Sequence, residues 1–355
     1  MIERYFDNAA TTPVDPRVRE EMLPFLGEAF GNANSLHEPG RRARAAVELA
    51  RERVARLLGA EDPSQIVFVS GATEANNWIL NAFPKAAISP FEHSSLFDTA
   101  RALGRAVLPN EGLKLLGPPW PVDLVSVMAV NNEIGARWDA SKHRHPGASL
   151  HSDITQAAGK LPVSVAPLDF ASLSGHKFHG PKGIGALYSR ESPPPPMLLG
   201  GEQEGGFRAG TLNVPAIVGM GAAAQIALDE MDNDLQTAQA CRAAVLGALE
   251  GCTEMRVNGG ESPSPYILSL SFRGVVGETL VIEADQAGFA ISSGAACSSR
   301  STEPSHVMTA LGIEPDWLKG TVRISFGRYN KESSSSELGL SLRRSVERLR
   351  AMRAS

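Results

Sequence analysis

Cysteine is scarce in this 355-residue chain, with only Cys241, Cys252 and Cys297, an odd number without metal-type spacing. A disulfide framework and a CxxC…CxxC zinc site are excluded, and a reducing compartment is expected. An excess of one charge is lacking too, since 34 Lys plus Arg face 39 Asp plus Glu for a net charge of −5. So small a surplus, spread along the chain, argues against a protein that coats nucleic acid or anionic membrane. Long hydrophobic runs are missing: the most apolar stretch, Val214 to Leu228, is short for a membrane span, contains Gln225 and reads as a buried helix. Residues Met1 to Asn8 show no basic region followed by an apolar core, so no signal peptide and a cytoplasmic location are expected. No repeat at solenoid or propeller periods is found.

What is present is ordinary globular material. Hydrophobic residues make up 43% and charged residues 21%, which excludes a disordered chain, a coiled coil and a collagenous repeat. At about 150 residues per domain the length suggests roughly two domains. Through the first two thirds, helical and strand patterns alternate. Gly40 to Leu58 places Ala43, Val47, Ala50, Val54 and Leu57 at helical spacing, with Gly59 as its end. Ile66–Val69 is a buried-strand run leading into a helix over 75–82, and further strands are expected at 86–89, 122–130, 149–152 and 169–172. That alternation predicts a mostly parallel α/β sheet with helices on both faces. Beyond Met231 the pattern becomes α+β: a helix over 235–249, strands at 266–272 and 322–326, and a terminal helix over 335–352. A second, smaller domain is expected from there on.

Three segments carry chemistry. In Ser174-Gly175-His176-Lys177-Phe178-His179-Gly180, a lysine ends a buried strand inside a His- and Gly-rich loop. Such an amine, held near a low-dielectric wall, can lose its proton and form a Schiff base with a carbonyl. A turn with Lys177 pointing into water is the plainer alternative. Ser70-Gly71-Ala72-Thr73-Glu74 lies between a strand and a helix, where free N–H groups, the helix dipole and the Thr73 hydroxyl would cup a phosphate. An ordinary helix cap accounts for it equally. Asp153 ends another expected strand, where ligands of open α/β sheets bind. It is either an N-cap or the acid that keeps a pyridoxal phosphate ring nitrogen protonated. Taken together, the lysine, the cup and the acid converge on that cofactor.

These and further motifs resemble the class V, fold-type I pyridoxal-phosphate enzymes, specifically the cysteine desulfurases of iron–sulfur cluster biogenesis. The resemblance runs nearly end to end. It covers Phe6-Asp7-Asn8-Ala9-Ala10-Thr11-Thr12-Pro13, Gly31-Asn32-Ala33-Asn34-Ser35, Ser70 to Glu74, Glu92-His93 and Val130 to Gly135. It continues with Asp153-Ile154-Thr155-Gln156, Ser174 to Lys177, Arg208-Ala209-Gly210-Thr211, Ser292 to Cys297 and Val322-Arg323-Ile324-Ser325. It implies a large domain with a mostly parallel sheet at 14–231, and a smaller α+β domain, 1–13 with 232–355, that carries the catalytic cysteine loop.

By position, the resemblance implies that Lys177 holds pyridoxal 5'-phosphate, Asp153 pairs with its ring nitrogen and His93 stacks on the ring. Gln156 and Asn132 would contact the ring's phenolate oxygen and neighbouring substrate atoms. Ala72, Thr73, Ser174, Gly175 and His176 would surround the phosphate, with Thr211 contributed across a homodimer interface. Arg323 and Asn32 would bind the substrate carboxylate; no metal is implied. Lys177 would move the Cα proton of L-cysteine with His93 as a proton carrier. The Cys297 thiolate would take the sulfur as a persulfide, release alanine, and pass the sulfur to an acceptor such as an iron–sulfur scaffold. Cys297 lies in a Ser-, Gly- and Ala-rich stretch, 292–305, whose composition suits a mobile loop. Cys241 and Cys252 are expected to be buried and inert. Three features depart from the pattern: a short 81–150 region, a Glu within Gly200 to Gly206 where a third Gly is common, and an end soon after Arg350. A selenocysteine lyase, a class V aminotransferase and a catalytically silent sulfur carrier or scaffold are the rival readings.

Overall fold

The structure is a computed structural model and describes residues 2–294 and 305–354. Its main sheet has seven strands in the order Ile66–Val69, Gly185–Ser189, Phe170–Ser174, Ser149–Asp153, Leu124–Ser126, Ala86–Ile88 and Ala106–Val107. Gly185–Ser189 runs antiparallel to both neighbours, and the other four pairings are parallel. Strands Ile66–Val69 and Phe170–Ser174 are buried along their whole length, as the apolar runs of a sheet covered on both faces require. The strand expected over 122–130 is reduced to Leu124–Ser126. Beyond it only alternate backbone bonds persist, from Val127 N to His151 O at 3.1 Å and from Ala129 N to Asp153 O at 3.0 Å.

Helix Glu38–Leu58 buries Ala43, Val47, Ala50, Val54 and Leu57 and stops where Gly59 takes φ 64°, a left-handed turn that glycine adopts without strain. A second sheet, antiparallel throughout, orders Met255–Asn258, Ile267–Phe272, Thr321–Ser325 and Ser292–Ser293. The chain's start joins this sheet through bridges from Tyr5 to Ala290 and from Asp7 to Ser325, and Phe6 packs edge-on against Phe326.

The two helices expected over 214–228 and 235–249 are one, Val214–Ala248, of 35 residues. Nothing in Asp229-Glu230-Met231-Asp232-Asn233-Asp234 breaks a helix, because it contains neither Gly nor Pro. The change in texture near Met231 reflects a change of packing partner. Ile217, Met220 and Ala224 belong to the core beneath the large sheet, whereas Ala238, Cys241 and Val245 belong to that of the small one.

Buried charge stitches the two halves together midway along this helix. Arg328 reaches Asp15 at 2.8 Å and Asp234 at 2.7 Å, all three nearly inaccessible to water. Asp15 keeps a second partner in Arg17, which with Arg328 holds its carboxyl well below the usual range. Asp234 has no such reserve, and burial pushes its carboxyl up despite Arg328. Arg328→Met is therefore expected to cost about 3–5 kcal/mol, as when one partner of a buried ion pair is removed. A urea midpoint unchanged from the parent protein would contradict this.

Candidate active site

The carboxyl ends of the large sheet open into a cavity of about 300 Å³. Strand Ile66–Val69 feeds the turn at Gly71, which starts helix Ala72–Ala82 without a side-chain cap. Gly185 lies against this turn so closely that a Cβ there would stand 2.6 Å from Gly71 Cα. That approach brings Ala72 N within 2.7 Å of Ser174 Oγ, to which it donates. The Ser174 hydroxyl proton is left to offer elsewhere. Thr73, exposed on the first turn, lines the same end of the site, so helix dipole, hydroxyls and the His176 ring converge on one anion-sized place.

Strand Ser149–Asp153 delivers Asp153, buried, with its carboxylate accepting from Asn76 Nδ2 at 2.8 Å and Thr155 N at 2.9 Å. Strand Phe170–Ser174 ends in a short turn, Gly175–Lys177, that presents the lysine. Lys177 Nζ donates to the carbonyls of Ala9 and Ala10, each at 2.7 Å. Gln156 Nε2 donates to the same Ala9 carbonyl at 2.8 Å, while its Oε1 accepts from the buried Lys160 Nζ at 2.8 Å. Lys160 thereby fixes which way the Gln156 amide faces. Arg323, on the small sheet, donates to Asp7 Oδ1 at 2.8 Å and to Asn132 O at 2.9 Å. Its buried Nε has no hydrogen-bond partner among the described residues.

Burial favours the neutral form of the local bases. It lowers His93, takes His176 to about 4 with help from Lys177 and Lys182, and takes His151 to about 4. Burial, then Lys177 and Arg323, brings Lys160 to about 7, while burial and Asp153 push Glu92 up to about 8. A bound anion would favour the protonated form of each of these bases.

Ala72, Thr73, His93, Asn132, Asp153, Gln156, Ser174, His176, Lys177 and Arg323 thus share one cavity. Gly175, buried, and Asn32 and Thr211, exposed, do not line it. Cys297 lies outside the described residues. Cys241 is buried, whereas Cys252 is only half-buried, so full burial holds for one of the two. Sequence reasoning passed over Asn76, Ser95 and Lys160. Only the spacing of Gln156 and Lys160, four apart, hinted at a pair.

The donor set fits pyridoxal phosphate: an anion cup at a helix start, a carboxylate, an imidazole, an amine, and an unspent guanidinium nitrogen in one cleft. Fold and site together define a pyridoxal-phosphate enzyme of the α/β type. The chain belongs to the class-V aminotransferase family, whose pattern matches residues 4–107 and 119–337. It is 40% identical to the cysteine desulfurase IscS of Salmonella arizonae over 379 residues, covering 98% of this chain and 93% of that protein. Among solved structures, a NifS-like protein superposes with a TM-score of 0.87 at 34% identity, covering 97% of this chain and 99% of the other. DndA from Streptomyces lividans superposes with a TM-score of 0.74 at 34% identity, covering 90% and 98%.

Proposed function

We propose that this chain is a cysteine desulfurase that takes the sulfur of L-cysteine onto Cys297 and releases L-alanine. The observation that carries the reading is where the described chain leaves and rejoins the site around the segment that holds Cys297. Strand Ser292–Ser293 pairs with Arg323 and Val322, and Gly294 N donates to Thr321 O at 2.9 Å. On the return, Ser305 Oγ donates to Glu133, beside Asn132, and His306 Nε2 bonds to Glu92 O at 2.8 Å, beside His93. Both described ends of that segment, Ser292–Gly294 and Ser305–His306, are thus tied to neighbours of cavity residues.

The bound cofactor supplies an electron sink that stabilises negative charge at the substrate Cα. Arg323 would hold the substrate carboxylate with its guanidinium fork. Lys177 would take the Cα proton and return it. His93, kept neutral by burial, can accept a proton and pass it on. The Cys297 thiolate bonds to the substrate sulfur as the carbon–sulfur bond breaks, and the released carbon takes a proton, so that thiol plus cysteine becomes persulfide plus alanine. Thiol exchange then hands the sulfur to an acceptor protein, such as an iron–sulfur scaffold.

A homodimer belongs to the same reading. Leu26, Phe30, Leu36 and Leu199 are exposed at 66%, 80%, 82% and 82%, apolar surface of the kind that marks an interface. Thr211, exposed outside the cavity, would reach a site from across that interface. No helix among the described residues is long and apolar enough to cross a membrane, and a cytoplasmic location is part of the proposal. The test is a single turnover of the loaded enzyme with L-cysteine and no reductant. Alanine and an alkylatable persulfide on Cys297 are expected in equal amounts. Amino transfer to a 2-oxo acid without persulfide would overturn the proposal in favour of an aminotransferase.

A further inference from the structure

Asn76 stands one turn into helix Ala72–Ala82 and is completely buried. Its Nδ2 donates to Asp153 Oδ2 and to Ser95 Oγ, each at 2.8 Å, while its Oδ1 has no partner among the described residues. The amide cannot turn over, because Oδ1 would then oppose the Asp153 carboxylate, acceptor against acceptor. Leaving an amide oxygen unsatisfied in the interior is costly, and an apolar side chain would fill the space without that cost. The arrangement makes sense if the two donated bonds are what the position is for.

The second bond reaches further. Ser95 Oγ accepts from Asn76, so its own proton is available to His93 Nδ1, 2.9 Å away. Ser95 N donates to the same nitrogen at 3.1 Å. With Nδ1 serving as acceptor, the neutral ring carries its proton on Nε2. We propose that Asn76 is a positioning residue that fixes the Asp153 carboxylate and, through Ser95, the His93 ring as one unit. The placement of these two groups around the cofactor rests on the proposed function; their coupling through Asn76 does not.

Two measurements on apoenzyme test the coupling: the position of the Asp153 carboxyl carbon resonance and a titration of the His93 imidazole nitrogens. Asp153→Asn and His93→Gln spectra assign the signals. The charged groups acting on His93 are Asp153 and Asp98, which favour its protonation, and Lys177, which opposes it. In Asn76→Ala, Asp153 loses one of its two donors, so its carboxyl carbon resonance is expected to leave the parent's position. Ser95→Ala removes a donor that favours neutral imidazole. It should raise the His93 midpoint while leaving the Asp153 carboxyl resonance in place. In the loaded enzyme, Asn76→Ala should lower kcat for L-cysteine by about 10- to 100-fold, the usual cost of losing an outer hydrogen-bond partner, with KM within about threefold. An unmoved Asp153 resonance together with an unchanged His93 midpoint in Asn76→Ala, or an unchanged His93 midpoint in Ser95→Ala should the first variant not fold, would overturn the proposal. Neither measurement uses substrate or cofactor, so failure of the desulfurase reading would not be mistaken for failure of this one.

Discussion

Lys177→Ala is expected to lower turnover of L-cysteine by about 10⁴-fold or more, the upper range of what a positioned general base contributes. The same variant should lose the yellow colour of the loaded protein. Two observations make the loss severe rather than partial. The amine rests on the Ala9 and Ala10 carbonyls at the cavity wall, so no bulky rearrangement separates it from an incoming substrate. The nearest replacement, Lys160, is buried and committed to Gln156, and cannot stand in for it. Folding should survive, because Lys177 is only part-buried and both bonds end on carbonyls already shared with or close to other donors. Alanine release by the purified variant is the measurement, and activity within tenfold of the parent would remove Lys177 from the mechanism.

Cys297→Ser should produce a different defect. Sulfur transfer is expected to fall on the order of 10³-fold or more, as when a covalent nucleophile is removed. Exchange of the L-cysteine Cα proton with solvent deuterium should continue, since Lys177, Asp153 and Arg323 are untouched. The pairing of lost transfer with retained exchange separates a missing nucleophile from a damaged pocket. Cys241→Ala and Cys252→Ala are the controls. Burial pushes both thiols up, which keeps them protonated and unreactive. If transfer persisted in Cys297→Ser and vanished in either control, the thiol assignment would be wrong.

What could be read beforehand depended on whether a signal was local. Lys177 and Asp153 close strands next to turn chemistry, so their positions at the sheet's carboxyl edge followed from strand patterns alone. The helix Glu38–Leu58 followed from its stripe and its terminal glycine. Strand Gly185–Ser189 did not, because nothing in Gly-Ala-Leu-Tyr-Ser distinguishes an antiparallel insertion from a loop, and only its neighbours give it direction. Asn76 was invisible for a related reason. Its two acceptors are 19 and 77 residues away, and the helix around it shows only an apolar face. Lys160 went unremarked because nothing in Ala157-Ala158-Gly159-Lys160-Leu161 shows that its amine is buried against Gln156. Cys297, the proposed nucleophile, was inferred from resemblance and composition, and the described residues speak only for the ends of its segment.

The cavity wall formed by Ala9 and Ala10 has a consequence for how the protein is made. That wall is pinned by late-synthesised chain: Phe6 N bonds to Ala290 O, Ala9 N to Ser325 Oγ, and Asn8 Nδ2 to Ser325 O. At about 5–20 residues per second, roughly 15–60 s separate the emergence of Ala9 from that of Ser325. The large sheet has all its strands by Ser189 and can pair long before then. Until Ser325 emerges, the Ala9–Ala10 wall has only its partners from the large-sheet half, Lys177, Gln156 and, through Thr12, His176. The bonds from Ala290 and Ser325 that brace its other side are made last.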